Sequence, residues 1–287
     1  MPLPQRPAPS QREQPGERDL QPLAVTTLVA VLSVTLVLMA ARTGWFGPDV
    51  GRGDGFCEAA RSGWLKQPAN ALSNLGFVLA GLRIAWLARL PDGRLPIGRS
   101  PDGSAAPGGQ RRADLVTPYA VVVVLLGPGS MAMHATQTAV GGHLDLTSMF
   151  LISSFAASSA LTRTLERGLA FFAVVFAALL AGAELVEAVP GSVPVLMSWG
   201  NVAFAALLLV ALVLERRLHL VSGLGDVRWI GRSVAALGVA FVVWNLSKDD
   251  APLCDPHSLL QGHAVWHVLC ATSAFWLYRY WVSASRR

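Results

Sequence analysis

The chain has 287 residues, of which 53% are hydrophobic and only 14% charged, whereas a soluble domain carries about 25% charged residues. The hydrophobic residues gather in runs of roughly 20, the length that an α-helix needs to cross a bilayer. These figures exclude an ordinary soluble enzyme and predict an all-α, polytopic integral membrane protein. The net charge of +5 does not indicate nucleic-acid binding, because the arginines lie between the apolar runs.

Eight apolar segments follow an N-terminal tail. The tail, residues 1–21, is rich in Pro, Gln and Arg and is predicted to be disordered and cytoplasmic. We predict that each apolar segment is a membrane-spanning helix, since the period-two alternation of a membrane β-barrel is absent. The predicted spans are 23–41, 68–90, 115–136, 144–162, 168–188, 193–214, 229–246 and 258–282.

The basic residues favour a topology with both termini in the cytoplasm, because cytoplasmic loops carry an excess of Lys and Arg. In that topology every inside segment is basic. The outside connectors 137–143 and 189–192 hold no Lys or Arg, and 247–257 holds only Lys248. The exception is 42–67, in which four basic residues are diluted by three acidic ones.

The first apolar segment has a rival interpretation as a signal peptide, since a basic stretch precedes it and Met39-Ala40-Ala41 follows. Its apolar stretch of about 19 residues exceeds the usual 7–15, which favours a retained anchor. We therefore expect an extra N-terminal transmembrane helix at 22–42, an extracytoplasmic connector at 43–67 and a seven-helix bundle at 68–283.

Polar side chains cluster at the predicted extracytoplasmic ends of three spans. They are Ser130 with His134, Asp145, and His263 with His267. A four-residue spacing places both members of a pair on one helical face. Ionisable residues at membrane depth are costly and usually mark function. Because the three ends share one side of the membrane, we expect these side chains to lie at one depth.

The three histidines predict a zinc site. Three neutral imidazoles suit a catalytic zinc, which keeps a fourth position for water and lowers the pKa of that water to about 7. We therefore interpret His134, His263 and His267 as zinc ligands. Asp145 is the candidate general base, and Ser130 is placed to bind the water or the oxyanion formed on attack.

Each of these residues also has a simpler interpretation. An intramembrane His or Ser is often a hydrogen-bonded packing residue, paired histidines also bind haem, and Asp145 near a helix start complements the helix dipole. The motif Gly127-Pro128-Gly129 indicates a kink that opens room for the cluster, with helix packing as the alternative. The remaining histidines, which lie in predicted connectors, are interpreted as solvated: His143, His219 and His257.

Four motifs follow one another between about Cys57 and Tyr280. They are Asn70-Ala71-Leu72-Ser73-Asn74, Gly127-Pro128-Gly129-Ser130 with His134, Asp145 with Met149, and Gln261-Gly262-His263-Ala264-Val265-Trp266-His267. Their order and spacing resemble those of the alkaline ceramidase family. That family belongs to a superfamily of seven-helix membrane hydrolases that also includes the adiponectin-type receptors.

The resemblance implies a zinc-dependent hydrolase of a lipid amide, with ceramide giving a sphingoid base and a free fatty acid. It implies the same roles for the polar cluster: zinc on His134, His263 and His267, a water positioned by Asp145, and Ser130 assisting at the carbonyl. The expected partners are the bilayer and a membrane lipid substrate. Hydrolysis of another lipid amide or ester stays open, as does a non-catalytic receptor or sensor with structural zinc.

The resemblance also implies a disulfide and raises a calcium site. The family joins the segment before its first helix to the connector before its last, and Cys57 and Cys254 match those positions. Eukaryotic alkaline ceramidases bind calcium through an Asp-Trp-Cys-Glu segment and a second acidic residue. Here that segment reads Asp54-Gly55-Phe56-Cys57-Glu58 and Gln67 takes the second position. Asp54 and Glu58 are thus the calcium candidates, with a solvated acidic loop as the alternative.

Overall fold

The computed structural model describes residues 19–95, 114–223 and 225–285. Most of the tail expected at 1–21 lies outside these residues. The regular secondary structure of the described chain is almost entirely helical, which confirms the all-α class. Its helices are α1 (Gln21–Thr43), α2 (Pro68–Ser73), α3 (Leu75–Leu87), α4 (Val116–Thr136), α5 (Ala139–Thr164), α6 (Leu169–Glu187), α7 (Trp199–Ser222), α8 (Val227–Leu246) and α9 (Gly262–Ser285), with a 3₁₀ turn at Pro91–Gly93.

Six segments of the described chain are long and apolar enough, by length and composition, to cross a membrane. They are α1, the continuous pair α2 and α3, α4, α5, α6 and α8. This confirms an integral multi-pass membrane protein. The two remaining long helices, α7 and α9, have 24 residues each, and their membrane crossing stays a prediction, as does the count of eight spans.

The start of α5 differs from the prediction of 144. The helix begins at Ala139, because the Thr138 side chain accepts a hydrogen bond from the backbone N–H of Gly141 and caps the first turn. The predicted connector at 137–143 is therefore reduced to two residues, and His143 lies in the helix with an exposed side chain. The interpretation of His143 as a connector residue was wrong, and so was that of His219, which lies in the last turn of α7.

A further predicted start, at 193, is also wrong, and the start predicted at 258 lies four residues before the observed one. Residues 192–198 form a small antiparallel hairpin of β1 (Ser192–Val193) and β2 (Met197–Ser198), so α7 begins only at Trp199. Pro194 lacks the N–H that a helix interior needs, and Val195 has a left-handed backbone with φ of 69°. The last helix, α9, begins only at Gly262, and residues 258–261 before it have no regular secondary structure.

Helix α4 lies at the centre of the fold and packs against α1, α2, α3 and α5. Two of its glycines permit this packing. A Cβ at Gly127 would lie 2.8 Å from the backbone oxygen of Asn74, and one at Gly129 would lie 2.6 Å from the Cβ of Ser148. The packing interpretation of Gly127-Pro128-Gly129 is therefore supported. The close approach brings Ser130 and His134, on the next turns of α4, toward α2 and α5.

One end of the bundle is closed by two connectors. The first connector, residues 44–67, joins α1 to α2, and the last connector, residues 247–261, joins α8 to α9. A disulfide between Cys57 and Cys254, with a Cα–Cα distance of 5.3 Å, links them, and this prediction is confirmed. The backbone N–H of Ala59 also donates to the Pro256 carbonyl at 3.0 Å. The two connectors thus form one unit over that end.

The double variant Cys57→Ser with Cys254→Ser is expected to be less stable by about 2–5 kcal/mol, because the disulfide restricts a long loop of the unfolded chain. The thermal unfolding transition of the detergent-solubilised protein measures this. The matched control is Cys270→Ser, which alters the free cysteine of the described chain. Equal transition temperatures for the double variant and the wild type would show that the disulfide contributes nothing to stability.

Candidate metal centre

The three histidines singled out in the sequence converge in the structure. His134 comes from the last turn of α4, whereas His263 and His267 come from the first turns of α9. All three are buried, and one ring nitrogen of each lies within 4.8 Å of the other two. The spacing of four residues on α9 explains how one helix presents two ligands. The arrangement is compatible with zinc.

The side chain of Gln67 fixes the orientation of the His134 ring. Its amide nitrogen donates to the backbone oxygens of Gly53, at 3.0 Å, and Glu58, at 2.8 Å. Those two acceptors determine which end of the amide is nitrogen. The remaining Oε1 lies 2.7 Å from Nδ1 of His134 and can only accept, so this Nδ1 carries the proton. The Nε2 of His134 is consequently free to bind a metal.

Ser73 fixes the His267 ring by the same logic. Its hydroxyl donates to the backbone oxygen of Asn70 at 2.8 Å, and its Oγ lies 2.8 Å from Nδ1 of His267. The Asn70 carbonyl can only accept, so we assign the hydroxyl proton to that bond and Oγ as the acceptor from His267. The Nε2 of His267 is therefore unprotonated and faces the cluster, 3.4 Å from the Oγ of Ser130. Such supporting contacts raise the basicity of a ligand and hold its ring in place.

His263 completes the cluster with a different environment. Its Nε2 lies 3.1 Å from Nε2 of His134, close to the separation of about 3.3 Å for two nitrogens bound tetrahedrally at the usual Zn–N distance. Its other nitrogen, Nδ1, is buried with no hydrogen-bond partner among the described residues. The ring is held by Phe56 of the first connector, which stacks on it at 3.9 Å between centroids. The residues present fit a zinc ion.

The two candidate catalytic residues lie beside the histidines. Ser130 is buried, one turn before His134 on α4, and its hydroxyl interacts with the Asp145 carboxylate from α5. The guanidinium of Arg52, in the first connector, acts on the same carboxylate electrostatically. The structure therefore brings together all five residues that the polar clusters indicated. A carboxylate, a hydroxyl and three imidazoles at one point can together bind a metal and move a proton.

Ser73→Ala is expected to weaken zinc binding by about 10–100-fold, since the His267 ring loses the Ser73 hydroxyl and keeps only its contact with the Asn70 backbone. Competition with a chelator measures the affinity. Ser33→Ala is the matched control, because the Ser33 hydroxyl bonds backbone oxygens of its own helix, α1, the nearer at 2.6 Å. Unchanged affinity in Ser73→Ala would contradict a supporting role for this serine.

The calcium candidates do not fit a calcium ion. Glu58 is buried, and its two carboxylate oxygens accept backbone N–H groups of Ala69 and Asn70, each at 2.8 Å. Glu58 thus caps the start of α2 and is not part of a solvated loop. Asp54 accepts a hydrogen bond from the Gln137 amide at 2.7 Å. Calcium needs six to eight oxygen ligands, several of them carboxylates, whereas N–H donors already occupy both Glu58 oxygens and one oxygen of Asp54.

Sequence reasoning missed three residues that shape the centre: Gln67, Ser73 and Phe56. Gln67 was considered only as a lost calcium ligand, and Ser73 only as part of a motif. The signal for Ser73 is its place in Asn70-Ala71-Leu72-Ser73-Asn74, at the start of a span where a polar run is costly. No sequence signal connects Phe56 or Gln67 to the histidines, because the connector that carries them is irregular.

Comparison with known families agrees with the geometry. The family model described as Ceramidase matches residues 56–286, which is most of the chain. The chain is a member of the ceramidase family. The match begins at Phe56 in the first connector and includes all five polar residues of the cluster, while α1 lies outside it. Comparison with curated proteins gives no significant match.

Membership of the ceramidase family supports a ceramide-hydrolysing enzyme in general terms, that is, a hydrolase of an amide bond. It also fits a membrane lipid as substrate, since the ceramidase-family bundle is made of apolar helices.

Proposed function

We propose that this ceramidase-family protein is a zinc-dependent membrane amidase that hydrolyses ceramide to a sphingoid base and a free fatty acid. The observation that carries the proposal is the convergence of three buried imidazoles, with ligand nitrogens within 4.8 Å of one another, beside Ser130 and Asp145. Buried clusters of this kind at membrane depth are costly and mark functional sites.

His134, His263 and His267 would hold the zinc. Nitrogen ligands suit zinc better than calcium or magnesium. Three imidazoles at one point also favour zinc over haem, whose iron takes axial ligands on opposite sides of a wide macrocycle. When bound, zinc supplies Lewis acidity and a lowered pKa for a water nucleophile.

The protein's own side chains would handle the protons. The Asp145 carboxylate accepts the proton of the attacking water and later delivers it to the nitrogen of the leaving amine, as a general base and then a general acid. The Ser130 hydroxyl, 3.4 Å from Nε2 of His267, donates a hydrogen bond to the oxyanion that develops on the amide carbonyl. Gln67 and Ser73 keep two of the rings in the required orientation.

The position of the cluster suits an amphiphilic substrate. The three histidines lie at the connector end of the bundle, whereas the apolar bodies of the helices extend away from it. An acyl chain can lie among the helices while its amide reaches the polar cluster. The extra helix α1 packs on α3 and α4 and is proposed as an additional membrane anchor.

We further propose that the termini are cytoplasmic and that the centre faces the extracytoplasmic side. The disulfide supports this orientation, because Cys57 and Cys254 lie at the same end as the histidines and disulfides persist in oxidising compartments. At the opposite end Arg163 pairs with the buried Glu215, in keeping with the excess of arginine expected at a cytoplasmic face.

The test is to incubate the purified protein with a ceramide in mixed micelles, to quantify fatty acid and sphingoid base by mass spectrometry, and to measure bound metal. We expect equimolar products and one zinc per chain. Fatty acid released only from an ester or another lipid amide would favour the rival hydrolase. Zinc without any hydrolysis would favour a receptor or sensor, and a visible haem band would overturn the metal assignment.

A further inference from the structure

Gln67 links the first connector to the metal centre. Gln67 is buried and makes two hydrogen bonds with His134. Its backbone N–H donates to the His134 carbonyl at 2.9 Å, and its side-chain Oε1 accepts from the ring at 2.7 Å. Its amide nitrogen bonds the backbone oxygens of Gly53 and Glu58. One side chain thus connects a loop of the connector to a metal ligand.

The oxygens around this amide are arranged like the ligands of a cation site. The N–H groups of the amide occupy the position that a cation would take. Two backbone oxygens of the connector point at the same nitrogen, at 3.0 and 2.8 Å. Gly53 presents its carbonyl there from a left-handed conformation with φ of 99°. The nearby carboxylate of Glu58 accepts hydrogen bonds from two backbone N–H groups. The backbone oxygens of Gly53 and Glu58 would be available to a cation if an acidic side chain replaced the Gln67 amide.

We propose that Gln67 takes the place of a structural calcium ion in this chain. Its amide group holds the first connector and orients His134, so the protein keeps its centre ordered without calcium. The part of the proposal that concerns His134 rests on the proposed zinc function, whereas the part that concerns calcium does not. Gln67 is accordingly a positioning residue, since it acts through His134.

Gln67→Glu separates the two roles. The introduced carboxylate still accepts a hydrogen bond from Nδ1 of His134. It has no proton to donate to the backbone oxygens of Gly53 and Glu58, so its second oxygen repels them. In buffer stripped of divalent cations and resupplied with zinc alone, we expect its unfolding temperature to fall by at least about 2–4 °C. Millimolar calcium chloride should restore it by binding the folded state. The unfolding temperature of the wild type should change neither when divalent cations other than zinc are removed nor when calcium is added.

Zinc affinity provides the second measurement, by competition with a zinc-selective chelator. We expect Gln67→Met, which keeps the shape but loses every side-chain hydrogen bond, to bind zinc about 10–100-fold more weakly. Gln67→Glu should bind zinc more tightly when calcium is present than when it is absent. A role limited to packing would leave the zinc affinity independent of calcium.

Gln261→Glu is the matched control. The Gln261 amide also bonds two backbone oxygens, those of Asp255 and Ser258 at 2.8 and 2.7 Å, in the last connector. An equal calcium response in this variant would overturn the proposal, because any added carboxylate would then suffice. Stabilisation of the wild type by calcium would also overturn it, as would a Gln67→Glu variant that calcium does not rescue. If the protein binds no zinc, the proposed function fails, but the calcium comparison stands.

Discussion

Replacing His267 by alanine is expected to remove zinc and hydrolysis together while the helical bundle survives. His267 supplies one of the three ligand nitrogens, and two imidazoles leave the ion short of the three protein ligands that catalytic zinc uses. The loss of zinc affinity should exceed the roughly 100-fold that removal of a supporting contact costs. The measurements are zinc per chain, fatty acid release from ceramide and helical circular dichroism.

The matched control for His267→Ala is His257→Ala. His257 lies exposed in the last connector, so this variant makes the same chemical change close to α9 without touching the cluster. It should keep one zinc per chain and full turnover. A His267→Ala protein with undiminished turnover and zinc content would show that the ligand assignment is wrong.

Replacing Asp145 by asparagine is expected to lower the turnover of ceramide by about 10²–10⁴-fold, the usual contribution of a general acid or base. The amide keeps the shape of the side chain and its contact with Ser130 but does not accept the proton of the attacking water. Zinc content should stay at the wild-type value, since the three histidines are untouched. Turnover and bound zinc measured on one preparation separate catalysis from metal binding.

Asp250→Asn is the control for this second variant. Asp250 is exposed in the last connector and has a left-handed backbone with φ of 58°, a conformation that asparagine tolerates well. The exchange of carboxylate for amide should therefore change neither stability nor turnover. If Asp145→Asn hydrolyses ceramide as fast as the wild type, a structural zinc in a receptor or sensor becomes the better interpretation.

The sequence predicted the class of the protein and the members of the polar cluster well. An apolar run that is long enough to cross a bilayer almost always forms a helix, because unpaired backbone groups are costly in lipid. His263 and His267 lie on one face of one helix by their spacing alone. The alternation of basic connectors then places His134, Asp145 and the α9 histidines at one end of the bundle.

Helix starts were less predictable where a connector has structure of its own. The sequence around 193–198 is apolar enough to resemble a span, but Pro194 and the left-handed Val195 turn it into a hairpin. The start of α5 was placed too late, because the two glycines at 141 and 142 resemble a loop. In the fold they belong to the first turns of α5, where a Cβ at Gly141 would lie 2.7 Å from the Ala132 carbonyl.

The sequence by itself determined that this chain is a multi-pass helical protein with histidines, a serine and an aspartate near the ends of its helices, because periodicity and hydropathy are local properties. Tertiary structure alone decided how those residues are supported. Gln67 and Phe56 reach His134 and His263 from an irregular connector that the Cys57–Cys254 disulfide joins to the last connector. Contacts across 67 or more residues of chain, such as that between Gln67 and His134, depend on how the helices pack, and no local pattern encodes that packing.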